Sequence, residues 1–282
     1  MPELPEVETI RRGLKPHVTG QEITEVIVLR PSQLRNVTPA ELSCRLKGRI
    51  IERLARRGKH LLFFCSSNQV LAIHLRMTGQ LLYYPSGQAV GVHTRLVLCL
   101  QLPAQLHFRD VRALGQITLL TADQLSSWRP LSVLGPEPLS PAFTLEGLQQ
   151  ALACRRAPIK NVLLGQQAVA GLGNIYADET LFQAGINPLR PANVLSVTEV
   201  KALWAAIRQT LFAGIVQGGT SISNYVNAHG APGSYQQQLL VYGRKGQKCK
   251  HCGSELVGCR LAGRSTVYCP HCQPLKGIAL KD

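Results

Sequence analysis

Two Cys-x-x-Cys pairs near the end of the chain, Cys249/Cys252 and Cys269/Cys272, constrain its fold more than any other stretch. Sixteen residues separate the pairs. Each pair makes a knuckle, and two knuckles close a tetrahedral four-thiolate Zn2+ site. All four positions are filled by protein, so the metal is structural and has no open position for catalysis. Between the pairs, Glu255–Val257 and Thr266–Tyr268 are expected to form a two-stranded ribbon that depends on zinc for stability. Gly263-Arg264-Ser265 is expected at its turn, where a guanidinium either meets a phosphate or is simply solvated. From Arg244 onward there are eight Lys/Arg against two Asp/Glu.

The basic excess extends to the whole chain. Its 282 residues carry 31 Lys+Arg against 16 Asp+Glu, a net charge of +15. Such a surface suits a polyanion, nucleic acid before an anionic membrane. With 45% hydrophobic and 17% charged residues the chain is globular and long enough for two domains. It has no run of 18 apolar residues and no signal-peptide pattern, so neither a membrane span nor export is expected. The nine cysteines then imply a reducing, cytoplasmic setting. Cys44, Cys65, Cys99, Cys154 and Cys259 lack partner spacing and read as small buried hydrophobes.

The hydrophobic period divides the chain. Residues 5–17 read as an amphipathic helix, with Val7, Ile10 and Leu14 on one face. From about 22 to 120 the period is two or the apolar runs are short. Strands are expected at Glu22–Leu29, Arg49–Leu54, His60–Cys65, Val70–Leu75, Gln80–Tyr84, Arg95–Leu102, Gln105–Phe108 and Gly115–Leu120, which suits a β-sandwich or barrel. The proline-rich stretch after Leu134 reads as a linker. Ser196-Val197-Thr198-Glu199 is a capping box opening a long helix with core residues Val200, Leu203, Trp204, Ile207, Leu211 and Ile215. A Gly/Ser/Asn-rich loop at 218–238 is long enough to be functional or disordered. The expected layout is α+β and multidomain: 1–134 a β-sandwich, 135–145 a linker, 146–240 helical, and 241–282 the zinc finger with its tail.

The N-terminus is chemically distinctive. Removal of Met1 makes Pro2 a secondary amine, and an α-amino group titrates near pH ~8. Such an amine attacks electrophilic carbon and yields a charged iminium. Glu3 lies beside it. The alternative is a common Met-Pro start that only shapes a helix entry.

In order along the chain come Pro2-Glu3-Leu4-Pro5-Glu6-Val7-Glu8, Arg57-Gly58-Lys59-His60 and His74-Leu75-Arg76-Met77-Thr78-Gly79. His107-Phe108-Arg109-Asp110-Val111-Arg112-Ala113-Leu114-Gly115 and Leu134-Gly135-Pro136-Glu137-Pro138-Leu139 follow. Then come Pro158-Ile159-Lys160, Ala170-Gly171-Leu172-Gly173-Asn174-Ile175-Tyr176-Ala177-Asp178-Glu179, Tyr242-Gly243-Arg244 and the four-cysteine finger. This ordered set resembles the bacterial formamidopyrimidine-DNA glycosylases over essentially the full length.

The resemblance implies a bifunctional enzyme that excises oxidised purines such as 8-oxoguanine and formamidopyrimidines, then cuts the strand by β,δ-elimination. It implies an N-terminal β-sandwich with flanking helices, a helix–two-turn–helix domain and a zinc finger, acting as a monomer on double-stranded DNA. Pro2 is the implied nucleophile, Glu3 the acid at the sugar, Lys59 the β-elimination residue and Arg264 the δ-elimination residue. His74, His93, Arg112, Arg155, Lys160, Asn174, Tyr242 and Arg264 match DNA-contacting positions. Met77, Arg112 and Leu114 match the trio that fills the void left by an extruded base. Glu6, Thr220, Ile222, Ser223, Asn224 and Tyr225 match the lesion-reading set. The chain departs from the usual pattern at Val111, Ala113, Leu114 and Gly165. Two rivals are a sister class resembling endonuclease VIII, which acts on oxidised pyrimidines, and a non-catalytic zinc-ribbon DNA-binding protein.

Overall fold

The computed structural model describes residues 1–101 and 103–275. Leu102, the last residue of one expected strand, and 276–282, the end of the expected finger segment, lie outside the described residues. The chain forms two compact units. One comprises Met1–Ser132 and Gly214–Gln236; the other comprises Val133–Ala213 together with the chain from Gln237.

The first unit opens with α1 (Leu4–Val18). Pro5 is tolerated in its first turn, where no intrahelical N–H bond is lost. Val7, Ile10, Leu14 and Val18 recur at helical spacing and are fully buried. Next come β1 (Glu22–Val28), α2 (Pro39–Leu46), β2 (Arg49–Arg57), β3 (His60–Cys65), β4 (Gln69–His74), β5 (Gly79–Tyr84), β6 (Thr94–Leu100), β7 (Gln105–Asp110), β8 (Gln116–Thr121) and the short α3 (Arg129–Ser132). Every strand expected between 22 and 120 is present, within a few residues at its ends. The helix α2 is additional. Its N-terminus is a Thr38–Glu41 capping box, with the Thr38 N–H donating to Glu41 Oε2 at 2.8 Å.

The strands run antiparallel in the order β5-β7-β6-β1-β2-β3-β4-β8. The β1–β2 junction is thin: it pairs Glu22 with Ile50 and Ile23 with Arg49. Just beyond it the β2–β3 register shifts between Ile51 and Arg53. A bulge there bends the strand, and the ribbon divides into two four-stranded halves. Both contribute to one core, Leu81, Leu96 and Phe108 from one half and Phe63, Ile73 and Leu119 from the other. This is the expected sandwich.

Residues 214–236, within the expected helical domain 146–240, cluster by contacts with this first unit. Tyr225 and Ala228 are part of the sandwich core, and the Tyr83 N–H donates to Ala228 O at 2.9 Å. Burial of Tyr225 outweighs the loop's polar composition.

The second unit holds α4 (Leu145–Ala153), α5 (Ile159–Leu164), α6 (Asn174–Gln183), most of α7 (Val197–Val216) and the ribbon β9 (Val257–Leu261) with β10 (Arg264–Tyr268). The capping box is formed: Ser196 Oγ accepts the Glu199 N–H at 3.2 Å, and Glu199 Oε2 accepts the Ser196 N–H at 2.9 Å. The expected linker 135–145 carries packed residues. Phe143 is buried, and its carbonyl accepts the Trp204 indole N–H at 2.9 Å.

Candidate active site and DNA interface

In the first unit, Pro2 and Glu3 are buried at the head of α1. The Glu6 carboxylate organises this start. Its Oε2 accepts the Glu3 N–H at 2.8 Å, and its Oε1 accepts the Thr220 N–H at 2.7 Å. The Tyr225 hydroxyl donates to Gly218 O at 3.0 Å. Gly219 sits between these contacts at φ +87°, and a Cβ there would lie 2.9 Å from Glu6 Oε1. Only glycine accepts both the left-handed backbone and that close approach.

The 218–238 loop is therefore anchored, not loose. Ser221 Oγ donates to Tyr225 O at 2.8 Å and accepts the Gly233 N–H at 2.9 Å. Of the six residues expected to read the lesion, Glu6, Thr220 and Tyr225 are buried and hold the loop in place. Ile222, Ser223 and Asn224 form its exposed tip.

Lys59 lies in the β2–β3 turn and is 3% exposed. Arg57 pairs with His60, which makes this a two-residue turn with Gly58 at its first central position and φ +55°. A primed turn needs glycine there. Arg56 braces the turn by donating to Gly58 O at 2.9 Å, while its Nε meets Glu8 Oε2 at 3.1 Å.

His60 and His74 pair across β3 and β4 with ring centroids 4.5 Å apart. Burial, then the Arg76 and Lys59 charges, holds His60 down to about 4. Burial, His60 and the same cations hold His74 down to about 2. Both rings are neutral near pH 7. His74 Nδ1 accepts the Arg76 N–H at 3.1 Å, which places its proton on Nε2. That ring offers a donor without a charge.

Met77 and Leu114 are 38% and 42% exposed, and Arg112 is exposed beside Leu114. Two turns carry them, and the fully buried Asp110 joins the turns. Its Oδ1 accepts from Thr78 Oγ1 at 2.5 Å; its Oδ2 accepts the Gly115 N–H at 2.7 Å and Gln33 Nε2 at 2.9 Å. Thr78 Oγ1 accepts the Arg112 N–H at 3.1 Å. Apolar and cationic tips are thus presented together on a rigid base. In sequence Asp110 lies inside a motif without a role of its own, and nothing local signals Gln33. His93 is half-buried, and its carbonyl accepts the Asp110 N–H at 2.9 Å.

The second unit carries the other expected residues. Arg155 is tied to Gln167 Oε1 at 3.0 Å and to Ala151 O at 3.0 Å. Asn174 begins α6, and its Nδ2 donates to Ser265 O at 3.0 Å. Tyr242 follows a segment held by the buried Glu179, whose carboxylate accepts the N–H groups of Leu240, Val241 and Tyr242 at 2.8, 2.9 and 2.8 Å. Burial pushes the Glu179 pKa up against those three bonds. Glu179 is not legible as a functional residue in the sequence, because a carboxylate nest is invisible without its backbone partners.

Two more of the expected residues are placed by this unit. Lys160, expected on a phosphate, is fully buried and ion-paired with Asp178 Oδ1 at 2.7 Å. Burying its cation without that partner would be prohibitively costly. Arg264 is not in the ribbon turn but begins β10, paired with Leu261. The turn is Ala262-Gly263, with φ +47° and +73°, the pattern of a type I′ hairpin.

The four cysteine sulfurs lie within 4.8 Å of one another. A tetrahedral ion with Zn–S of about 2.3 Å separates its sulfurs by about 3.8 Å. Cys249 and Cys272 are 3.9 Å apart, and Cys252 and Cys269 3.5 Å. Knuckle N–H groups of His251 and Cys272 point at Cys249 and Cys269 sulfurs, each at 3.4 Å. The donor set fits one structural Zn2+. Phe182 of α6 packs with Cys249, Leu256 and Cys269 beneath it. Of the five other cysteines, only Cys65 is buried. Cys44 and Cys154 are exposed, and Cys99 and Cys259 half-exposed, correcting the uniform burial expected of them.

Known proteins place these features in one group. Residues 1–117 match the formamidopyrimidine-DNA glycosylase N-terminal domain, 134–226 the formamidopyrimidine-DNA glycosylase H2TH domain, and 246–275 a zinc finger found in FPG and IleRS. A formamidopyrimidine-DNA glycosylase of Desulfitobacterium hafniense is 44% identical over 97% of this chain and all of its own. A Lactococcus lactis FPG mutant solved with Fapy-dG containing DNA superposes with a TM-score of 0.91 at 36% identity, covering 97% of this chain and 100% of that one. The Lactococcus lactis Fpg complex with abasic-site DNA matches at 0.91 and 36%, covering 96% and 99%. Full-length identity of this order, with all three family modules in sequence, means that the chain belongs to the formamidopyrimidine-DNA glycosylase family.

Proposed function

We propose that this protein is a bifunctional DNA glycosylase and AP lyase that excises oxidised purines from double-stranded DNA. The observation that carries the reading is the intact Pro2-Glu3 start. It is buried at the head of α1, in the same unit as the exposed Met77, Arg112 and Leu114. Relatives solved with Fapy-dG and abasic-site DNA support the substrate class.

The damaged nucleotide leaves the stack, because its C1′ is unreachable inside a duplex. Met77 and Leu114 wedge the vacated step, and Arg112 hydrogen-bonds the widowed base. Ile222, Ser223 and Asn224 close on the extruded base from the anchored loop. With Met1 removed, the Pro2 lone pair bonds to C1′, and the C1′–base bond breaks with its electrons leaving on the base. Glu3 protonates the ring oxygen as the sugar opens, and the amine proton is lost to give the iminium. The iminium acidifies the C2′ proton. Its loss expels the 3′ phosphate, with Lys59 at this β-elimination. A second proton loss expels the 5′ phosphate, with Arg264 stabilising the departing charge, and leaves a one-nucleotide gap.

His74 donates its Nε2–H to a phosphate, and Arg155, Asn174, Tyr242 and His93 add backbone contacts. Zn2+ supplies finger stability and takes no part in bond making. The protein acts as a cytoplasmic monomer. Its cysteines are free of disulfides, and among the described residues no helix is long and apolar enough to cross a membrane.

Borohydride trapping on duplex DNA with 8-oxoguanine opposite cytosine tests the reading. Protein verified to lack Met1 gives a covalent adduct. Absence of an adduct leaves a DNA-binding protein without catalysis.

A further inference from the structure

The ammonium of Lys160 is held by three partners in a tripod. Asp178 Oδ1 is at 2.7 Å, Thr266 Oγ1 at 2.8 Å and Ser265 O at 2.8 Å. The ammonium donates to Thr266 Oγ1 and Ser265 O, and the Asp178 carboxylate is its ion-pair partner. Asp178 Oδ2 accepts the Val267 N–H at 3.2 Å. Asn174 Nδ2 shares Ser265 O at 3.0 Å. Thr266 Oγ1 also donates to Arg264 O at 3.5 Å. Helices α5 and α6 thus grip the three residues of β10 that directly follow Arg264.

The zinc ligand Cys269 ties the other end of the same strand. A two-residue turn followed by a free arginine would pivot on a metal-bound base alone. The tripod acts at the tip instead, on the carbonyl next to Arg264. Lys160 and Asp178 are both nearly inaccessible, with side-chain exposures of 0% and 1%, so neither reaches DNA in this conformation.

We infer that the Lys160–Asp178 pair is a positioning device for Arg264 that sets the efficiency of δ-elimination. This rests on the role given to Arg264 above. In that step a proton leaves C4′, the electron pair moves through the conjugated sugar, and the C5′–O bond breaks. The 5′ phosphate departs with the pair, and the Arg264 guanidinium stabilises it. A misplacement of about 1 Å in such a group costs up to about 100-fold in rate. Lys160 and Asp178 touch no reacting atom and are positioning residues.

Three full-length variants separate this from a general fold defect. Lys160→Met/Asp178→Leu removes both charges while filling the space, a change that buried pairs often tolerate. Lys160→Met alone strands a buried carboxylate. Thr266→Val removes one leg of the tripod at nearly constant volume. Each is given duplex DNA with a preformed abasic site. Borohydride trapping, β-product, δ-product and zinc content are measured.

The double variant should trap and form β-product within about twofold of wild type, but form δ-product about tenfold more slowly. Thr266→Val should fall between. An unchanged δ-to-β ratio in the zinc-loaded double variant overturns the inference, as does an equal loss of trapping, β- and δ-product. If the double variant cannot hold zinc, an unchanged ratio in Thr266→Val overturns it. Wild type that traps and forms β-product but no δ-product refutes the Arg264 assignment itself, and the inference with it.

Discussion

The carboxylate of Glu6 accepts the backbone N–H of Thr220 at 2.7 Å, across 214 positions of sequence. The same carboxylate takes the Glu3 N–H at 2.8 Å. One side chain therefore registers the proposed catalytic start against the loop proposed to hold the damaged base. A shift at either end is felt at the other.

Gly219→Ala should break that registration. The new Cβ would lie 2.9 Å from Glu6 Oε1 and 3.0 Å from a Tyr225 ring carbon, at φ +87°. The left-handed backbone alone costs about 1–2 kcal/mol with a Cβ. The melting temperature should fall, and 8-oxoguanine release should fall more than trapping of preformed abasic DNA, which has no base to grip. Parallel single-turnover assays on the two substrates check this.

Asp110 should matter more for the wedge than any wedge residue's own packing. Asp110→Ala leaves Gln33 Nε2 and the Gly115 N–H without their acceptor in a buried site. Each unsatisfied group costs about 1–3 kcal/mol. Gly115→Ala should act similarly, because its Cβ would meet Phe108 Cζ at 2.4 Å. Denaturant melts should show the loss. Fluorescence of 2-aminopurine placed opposite the lesion should show weaker helix opening.

Acid stability should depend on Glu8. Burial works to raise its pKa, but hydrogen bonds and charges from Arg11, Arg12 and Arg56 outweigh it and bring it down to about 2. The unfolded carboxyl titrates near 4.5. A depressed folded value gives stability that is complete above pH 4.5 and is lost as pH falls toward 2. With partial solvent screening the contribution is about 2 kcal/mol. Glu8→Gln should lower stability at pH 7 and flatten the slope between pH 4.5 and 2. Urea melts across that range measure both.

Zinc removal should act locally. The ribbon pairs five residues on each strand, too few to persist without the metal. A chelator should unfold the finger and weaken DNA binding while the first unit keeps its strand signal. Circular dichroism and binding titrations, with zinc restored as control, follow the two effects separately.

Local chemistry made much of this protein legible before any fold was known. The short apolar run in His60–Cys65 reads as a strand, the Ser196–Glu199 pair as a helix start, and the two cysteine pairs as a metal knuckle. Motif order pointed to the family, and the resemblance in turn to Pro2, Glu3 and Lys59 as proposed site residues. The strand and helix-start signals each lie within a few residues, so local sequence carries them; the family resemblance rests on the order of motifs along the whole chain.

Tertiary structure decided what depended on distant partners. Lys160 reads as a surface cation until Asp178, Ser265 and Thr266 surround it. Asp110 and Glu179 look like ordinary acids until backbone N–H groups converge on them. Residues 214–236 look like part of the helical region until Tyr225 enters the sandwich core. In each case the deciding term is desolvation: a buried polar group is stable only with its hydrogen-bond partners in place, and here those partners lie up to 219 residues away.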